Sequence, residues 1–203
     1  MKTTKNLLTL AFAMFATFAF AQSVVGTAHD LSGATWNTGT DEVCITCHTP
    51  HNAISANGPL WNHTESVADY TLYSSTVSST FDSDATITQP AGTSKLCLGC
   101  HDGTVDLANY GQTTDATGNA ITGTALLGTN LTTHHPVSFT YNTALFTADG
   151  GLYDPAVTTA VSTLLFGDNV ECASCHNAHD DTNGAFLVMS NSASALCLTC
   201  HNK

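Results

Sequence analysis

The chain has 203 residues, with 16 Asp and Glu against 4 Lys and Arg, and every one of the four is a lysine. A formal charge of −12 at pH 7 excludes nucleic-acid binding through phosphate contacts. The length bounds it to about one domain, and with only 10% of residues charged, much of its surface must be neutral Ser, Thr, Asn and Gly.

In chain order, Lys2 and Lys5 precede an apolar stretch from Leu7 to Phe20 and the small-x-small run Ala19-Phe20-Ala21. This is the pattern of a secretory signal peptide over residues 1–21, with the mature chain starting at Gln22. The apolar run is short of the roughly 20 residues that a spanning helix needs, and no later segment approaches that length, so no transmembrane segment is expected. Export to the extracellular space or outer cell surface, or alternatively to the periplasm, follows. Without the leader, Lys95 and Lys203 stand against all 16 acidic residues, a charge of −14. Such a chain steers basic partners toward itself, while its own copies repel at low salt.

Export alone would make the eight cysteines a disulfide framework. Their spacing says otherwise. They form four C-x-x-C pairs, Cys44/Cys47, Cys97/Cys100, Cys172/Cys175 and Cys197/Cys200, each followed at once by His48, His101, His176 or His201. Neither disulfides nor zinc sites call for histidine after every second cysteine. C-x-x-C-H is the attachment signature of c-type haem: the two thiols form thioethers and the histidine becomes the proximal iron ligand. Four covalently attached haems are therefore expected.

Two motifs carry a second histidine three residues on, His51 in CITCHTPH and His179 in CASCHNAH. Three stretched residues span at most about 10–11 Å, too little to pass around a porphyrin edge to its other face. As ligands, His51 and His179 would have to serve a neighbouring haem; the alternative is that each is a solvated polar residue beside the haem. In each half the doubled motif precedes a plain L-C-L-x-C-H, which makes an internal repeat. On that repeat, His51 is expected to ligate the Cys97/Cys100 haem and His179 the Cys197/Cys200 haem. Four histidines remain for the other two irons: His29, His63, His134 and His135. Methionine hardly competes, since only Met189 follows the leader. Bis-histidine ligation implies low potentials and no open iron position, which favours electron transfer over catalysis.

Between the motifs run Ser/Thr-rich and Gly/Thr/Asn-rich tracts without sustained helical periodicity. The expected fold is a multihaem cytochrome c, mostly coil, with short helices at the C-x-x-C-H sites and a few small hairpins. HPVSFTY is β-prone, and Asp154–Phe166 suits a brief helix or strand. The haems would form much of the core of one domain over residues 22–203, with one haem module at about 29–101 and the second at about 134–201. Asp180, Asp181 and Asn183 in HDDTNG could hold calcium, although a polar turn is the expected reading.

The segments AHDLS, CITCHTPHNA, GPLWN, HHPVSF and CASCHNAHD…LCLTCH resemble the multihaem cytochromes with doubled C-x-x-C-H motifs. The chain is most similar to the OmcE-type tetrahaem outer-surface cytochromes of metal-reducing bacteria, which polymerise into conductive filaments. The resemblance runs from His29 to the C-terminus. It implies His29 and His135 as distal ligands of the Cys44/Cys47 and Cys172/Cys175 haems, with His134 and then His63 in reserve. It also implies one haem completed by a histidine from the next subunit. His29, eight residues into the mature chain, is the choice for that donor, in a head-to-tail homopolymer. Three readings follow: a filament subunit passing electrons to external acceptors, a discrete periplasmic tetrahaem shuttle, and a small multihaem reductase, which would need one open iron.

Overall fold

The computed structural model describes residues 23–37, 41–54 and 58–202. The expected signal peptide lies outside them. Among the described residues no helix is long and apolar enough to cross a membrane.

The chain is mostly turn and coil. The longest described helix, α1, covers Gly92–His101 and contains the whole second motif. It ends at Asp102, whose N–H reaches Leu98 O, and Gly103 then leaves the helix at φ +74°, where glycine carries no steric penalty. α2, Thr143–Asp149, starts on the Asn142 side chain, which accepts from the Ala144 and Leu145 amides, and stops at Gly150 in the left-handed region. α3, Thr159–Ser162, is the brief helix expected within 154–166. α4, Cys172–Cys175, and α5, Ala195–Cys200, carry the third and fourth motifs. The first motif makes a single turn, closed by the His48 amide on Cys44 O at 2.8 Å.

Extended pairing is sparser than the expected hairpins. Strand β1, Phe139–Thr140, pairs antiparallel with β2, Asn169–Val170, in a two-residue ladder whose strands are far apart in sequence. Elsewhere there are isolated bridges. The reason is in the composition: Ser, Thr, Asn and Asp side chains take nearby amides, as Asp106 does from Ala108 and Asn119, and so compete with ladder formation.

Two apolar clusters hold the coil. Phe139, Tyr141, Leu145, Leu152, Val161 and Val170 pack beneath the second module, and Tyr141 ties them down by donating its hydroxyl to Tyr153 O at 2.7 Å. Tyr70, Leu98 and Leu131 form the other. Leu98 lies inside the CLGC loop and is 1% exposed, while Gly99 beside it sits so close to Thr64 O that a Cβ would approach within 3.1 Å. Leu98→Ala is expected to cost about 2–5 kcal/mol, read as a lower denaturation midpoint of the purified protein.

Candidate haem-binding sites

The two doubled motifs build the same local structure. His48 bridges Trp61 and His176 bridges Leu187, both antiparallel. Thr49 N–H donates to Leu60 O and Asn177 N–H to Phe186 O; Asn62 N–H returns to Cys47 O and Val188 N–H to Cys175 O. Each turn passes through left-handed residues, Leu60 in one and Ala185 with Phe186 in the other. That geometry aims a carbonyl at the proximal ring: His48 Nδ1 lies 2.8 Å from Pro59 O and His176 Nδ1 2.9 Å from Ala185 O. His101 Nδ1 meets Ala125 O at 2.8 Å in the same manner.

A carbonyl only accepts, so each Nδ1 carries the proton and each Nε2 keeps its lone pair free. This is how a metal-ligating histidine is oriented and its tautomer fixed. The sequence reading missed these acceptors. Their signal was the Gly-led run after each doubled motif, GPLW at 58–61 and GAFL at 184–187.

The remaining histidines fall into place by ring spacing. Metal–imidazole nitrogen bonds are about 2.0–2.1 Å, and a further ~1.1 Å reaches the ring centre, so two imidazoles sharing one ion have centroids about 6.3 Å apart. Three pairs stand at that distance: His48 and His179 at 6.0 Å, His29 and His101 at 6.2 Å, and His135 and His201 at 6.4 Å. Ring planes differ by 20°, 80° and 75°, as rotation about the axial direction allows. His29 and His135 also direct Nδ1 to a carbonyl, of Ala178 and Pro136, which leaves Nε2 for a metal. The residues present therefore fit c-type haem.

These pairings differ from the expected ones. His179 stands against His48, not His201. His29 stands against His101, not His48, and His135 against His201, not His176. The reach argument speaks only against its own motif's iron, and which other ring His179 meets depends on where the 177–186 loop runs. His29 is anchored in its own chain, stacked on Phe186 at 4.2 Å, which removes the reason to expect it to swing outward. Burial lowers its pKa, partly offset by the Ala178 carbonyl.

His51 is exposed, and its ring meets no other ring among the described residues; nor does that of His176. His134 lines an apolar cleft with Leu98, Leu131 and Cys172. His63 is 1% exposed, with Nδ1 on Thr64 O and Nε2 3.5 Å from Cys100 Sγ. Protein encloses it. Asp180 and Asp181 each use a carboxylate oxygen on a local amide, of Thr182 and Phe186, in a polar turn.

The thiols follow one another in sequence order. Burial first, then nearby Cys47, pushes the Cys100 thiol up to about 12. Interaction with Cys172 raises the Cys97 thiol, and interaction with Cys97 lowers that of Cys172. Cys175 feels burial, then Cys172 and Cys197. The helices of the second and third motifs, α1 and α4, pack against each other. Among the described residues no three His, Cys, Asp or Glu side chains converge as a bare metal ion would require.

The sequence model of one family, described as the doubled CXXCH motif, matches residues 166–203. No curated protein matches the chain. The matched motif supports a multihaem c-type cytochrome that carries covalently bound haem and works by haem-based electron transfer.

Proposed function

We propose that the protein transfers electrons through four closely spaced bis-histidine c-type haems, as the repeating subunit of an exported filament. Each haem, when bound, supplies a one-electron Fe(III)/Fe(II) couple. The observation that carries the reading is the set of three histidine pairs at 6.0–6.4 Å, with the second and third motifs on helices that pack together. His48 with His179, His101 with His29, and His201 with His135 each clamp one iron. Saturated ligation leaves those irons closed to substrate, which favours a carrier over a reductase.

The fourth iron supports polymerisation through the internal repeat. Within one chain, the second histidine of module two, His179, reaches the proximal histidine of module one, His48. The equivalent step from module one uses His51, and its target is a His176. Among the described residues His51 and His176 share no ring contact within the chain, which supports a target in a neighbouring copy. A contact of this kind does not close on itself and propagates an open polymer. The donor in trans is then His51 rather than His29. A second reading, a discrete periplasmic shuttle, draws on His134: its place beside Cys172 would let it complete the His176 iron within the chain.

The test joins two measurements on the secreted holoprotein. Mass spectrometry is expected to find four haems per chain, and electron microscopy is expected to find filaments. Electron paramagnetic resonance is expected to show low-spin iron only, with a rhombic signal from the near-parallel His48/His179 pair and highly anisotropic signals from the two near-perpendicular pairs. Uniform single particles across salt and pH would overturn the filament, and high-spin iron in assembled protein would overturn the closed sites.

A further inference from the structure

Glu171 is an acidic residue buried to 4% exposure where the two central motifs meet. It precedes Cys172 and caps α4, accepting from the Ser174 amide, while its own N–H donates to Ser174 Oγ at 2.9 Å. Its Oε2 also accepts from the Ser94 amide of α1 at 3.3 Å, from the Ser94 hydroxyl, and from the Ser138 hydroxyl at 3.1 Å.

The direction of these bonds is fixed by the backbone. Ser94 Oγ takes the Cys172 N–H at 2.9 Å, and Ser138 Oγ takes the Ala91 N–H at 3.0 Å. Each hydroxyl is therefore left to donate its own proton to Glu171. Oε2 faces donors only, hydrogen bonding that favours negative charge on that oxygen. Among the described residues no lysine or arginine neutralises it: the chain has no arginine, and Lys95 is paired with Glu65 at 3.3 Å. A hydrophobic or amide side chain would join α1 to α4 without the cost of burying a net charge.

We propose that Glu171 is a potential-setting residue, whose fixed negative charge beside Cys172, where α4 packs on α1, lowers the reduction potentials of the two central haems below those of the outer two. The inference rests on the four-haem reading above. A haem iron gains one positive charge on oxidation, so a buried anion close by favours the oxidised state, and weak screening in the interior makes the effect large. The outcome is a dip in potential at the middle of each subunit, at the junction between modules.

The test is a spectroelectrochemical titration of the holoprotein and its Glu171→Gln variant, which keeps side-chain size. Two of the four transitions are expected to move upward, changing the oxidised-to-reduced ratio at fixed potential by about tenfold, or 59 mV for a one-electron couple. The other two are expected to move far less. Ser138→Ala provides the contrast, because it removes a donor and leaves the charge less compensated. Its central transitions are expected to move downward, and it stays informative if Glu171→Gln fails to load haem. A merely structural carboxylate would lower the melting temperature of both variants and leave all four midpoints in place. That result, or an upward shift in Ser138→Ala, overturns the proposal. A wild-type protein without four low-spin haems would instead overturn the underlying reading.

Discussion

Replacing His179 by alanine is expected to open the iron on the Cys44/Cys47 motif and leave the one on Cys197/Cys200 closed. The two rings of His48 and His179 lie 6.0 Å apart and 20° from parallel, as two imidazoles on one axis do. His201 already faces His135 at 6.4 Å. The variant should lose about a quarter of its low-spin intensity and bind carbon monoxide at one reduced haem per chain. The potential of that haem should rise, since a ligand that stabilises the oxidised iron is gone. Location is read in a Cys44→Ala/Cys47→Ala background, which lacks the first haem. There His179→Ala should produce no high-spin signal. A signal in that background would show that His179 serves another iron.

His51→Ala is expected to abolish filaments altogether while leaving a folded, haem-loaded subunit. His51 is exposed, and its backbone turn is closed by the Thr49 hydroxyl rather than by the ring, so the substitution removes a ligand and little else. In the dispersed variant one haem in four should be high-spin, namely that of His176. Electron microscopy and the high-spin signal should change together, because a single bond accounts for both. If filaments and four low-spin haems persist, His134 holds that iron and the subunit is self-sufficient. Wild-type assembly should also quicken as salt is raised, since acidic copies repel and the contact itself is not an ion pair.

The attachment chemistry was legible in the sequence because it is local. Two thiols and an imidazole within five residues need no tertiary information, and the repeat C-x-x-C-H-x-x-H could be counted directly. The coil-rich fold was legible for a related reason, as tracts such as residues 64–90 show neither period 2 nor period 3.6. Ligand pairing was not legible. Spacing tells which iron His179 cannot reach, yet the iron it faces depends on a loop that also seats His29 on Phe186 and Ala178 O. Nor did position in the chain reveal that His29 is held down. An early residue is not a mobile one when an aromatic ring and a carbonyl await it. His63, last in reserve as a polar loop residue, is instead buried to 1% exposure, which its sequence neighbours did not reveal.

The packing of α1 against α4, which carry Cys97 and Cys172, has a consequence for biogenesis. Thiols on neighbouring helices, in an oxidising compartment, are candidates for coupling to cystine. Such a staple would forfeit a vinyl addition on two porphyrins at once. Loading either site protects the other, because a sulfur already alkylated is no longer a partner for coupling. Maturation of this polypeptide is therefore a race between cofactor delivery and thiol oxidation, decided at the seam between its halves.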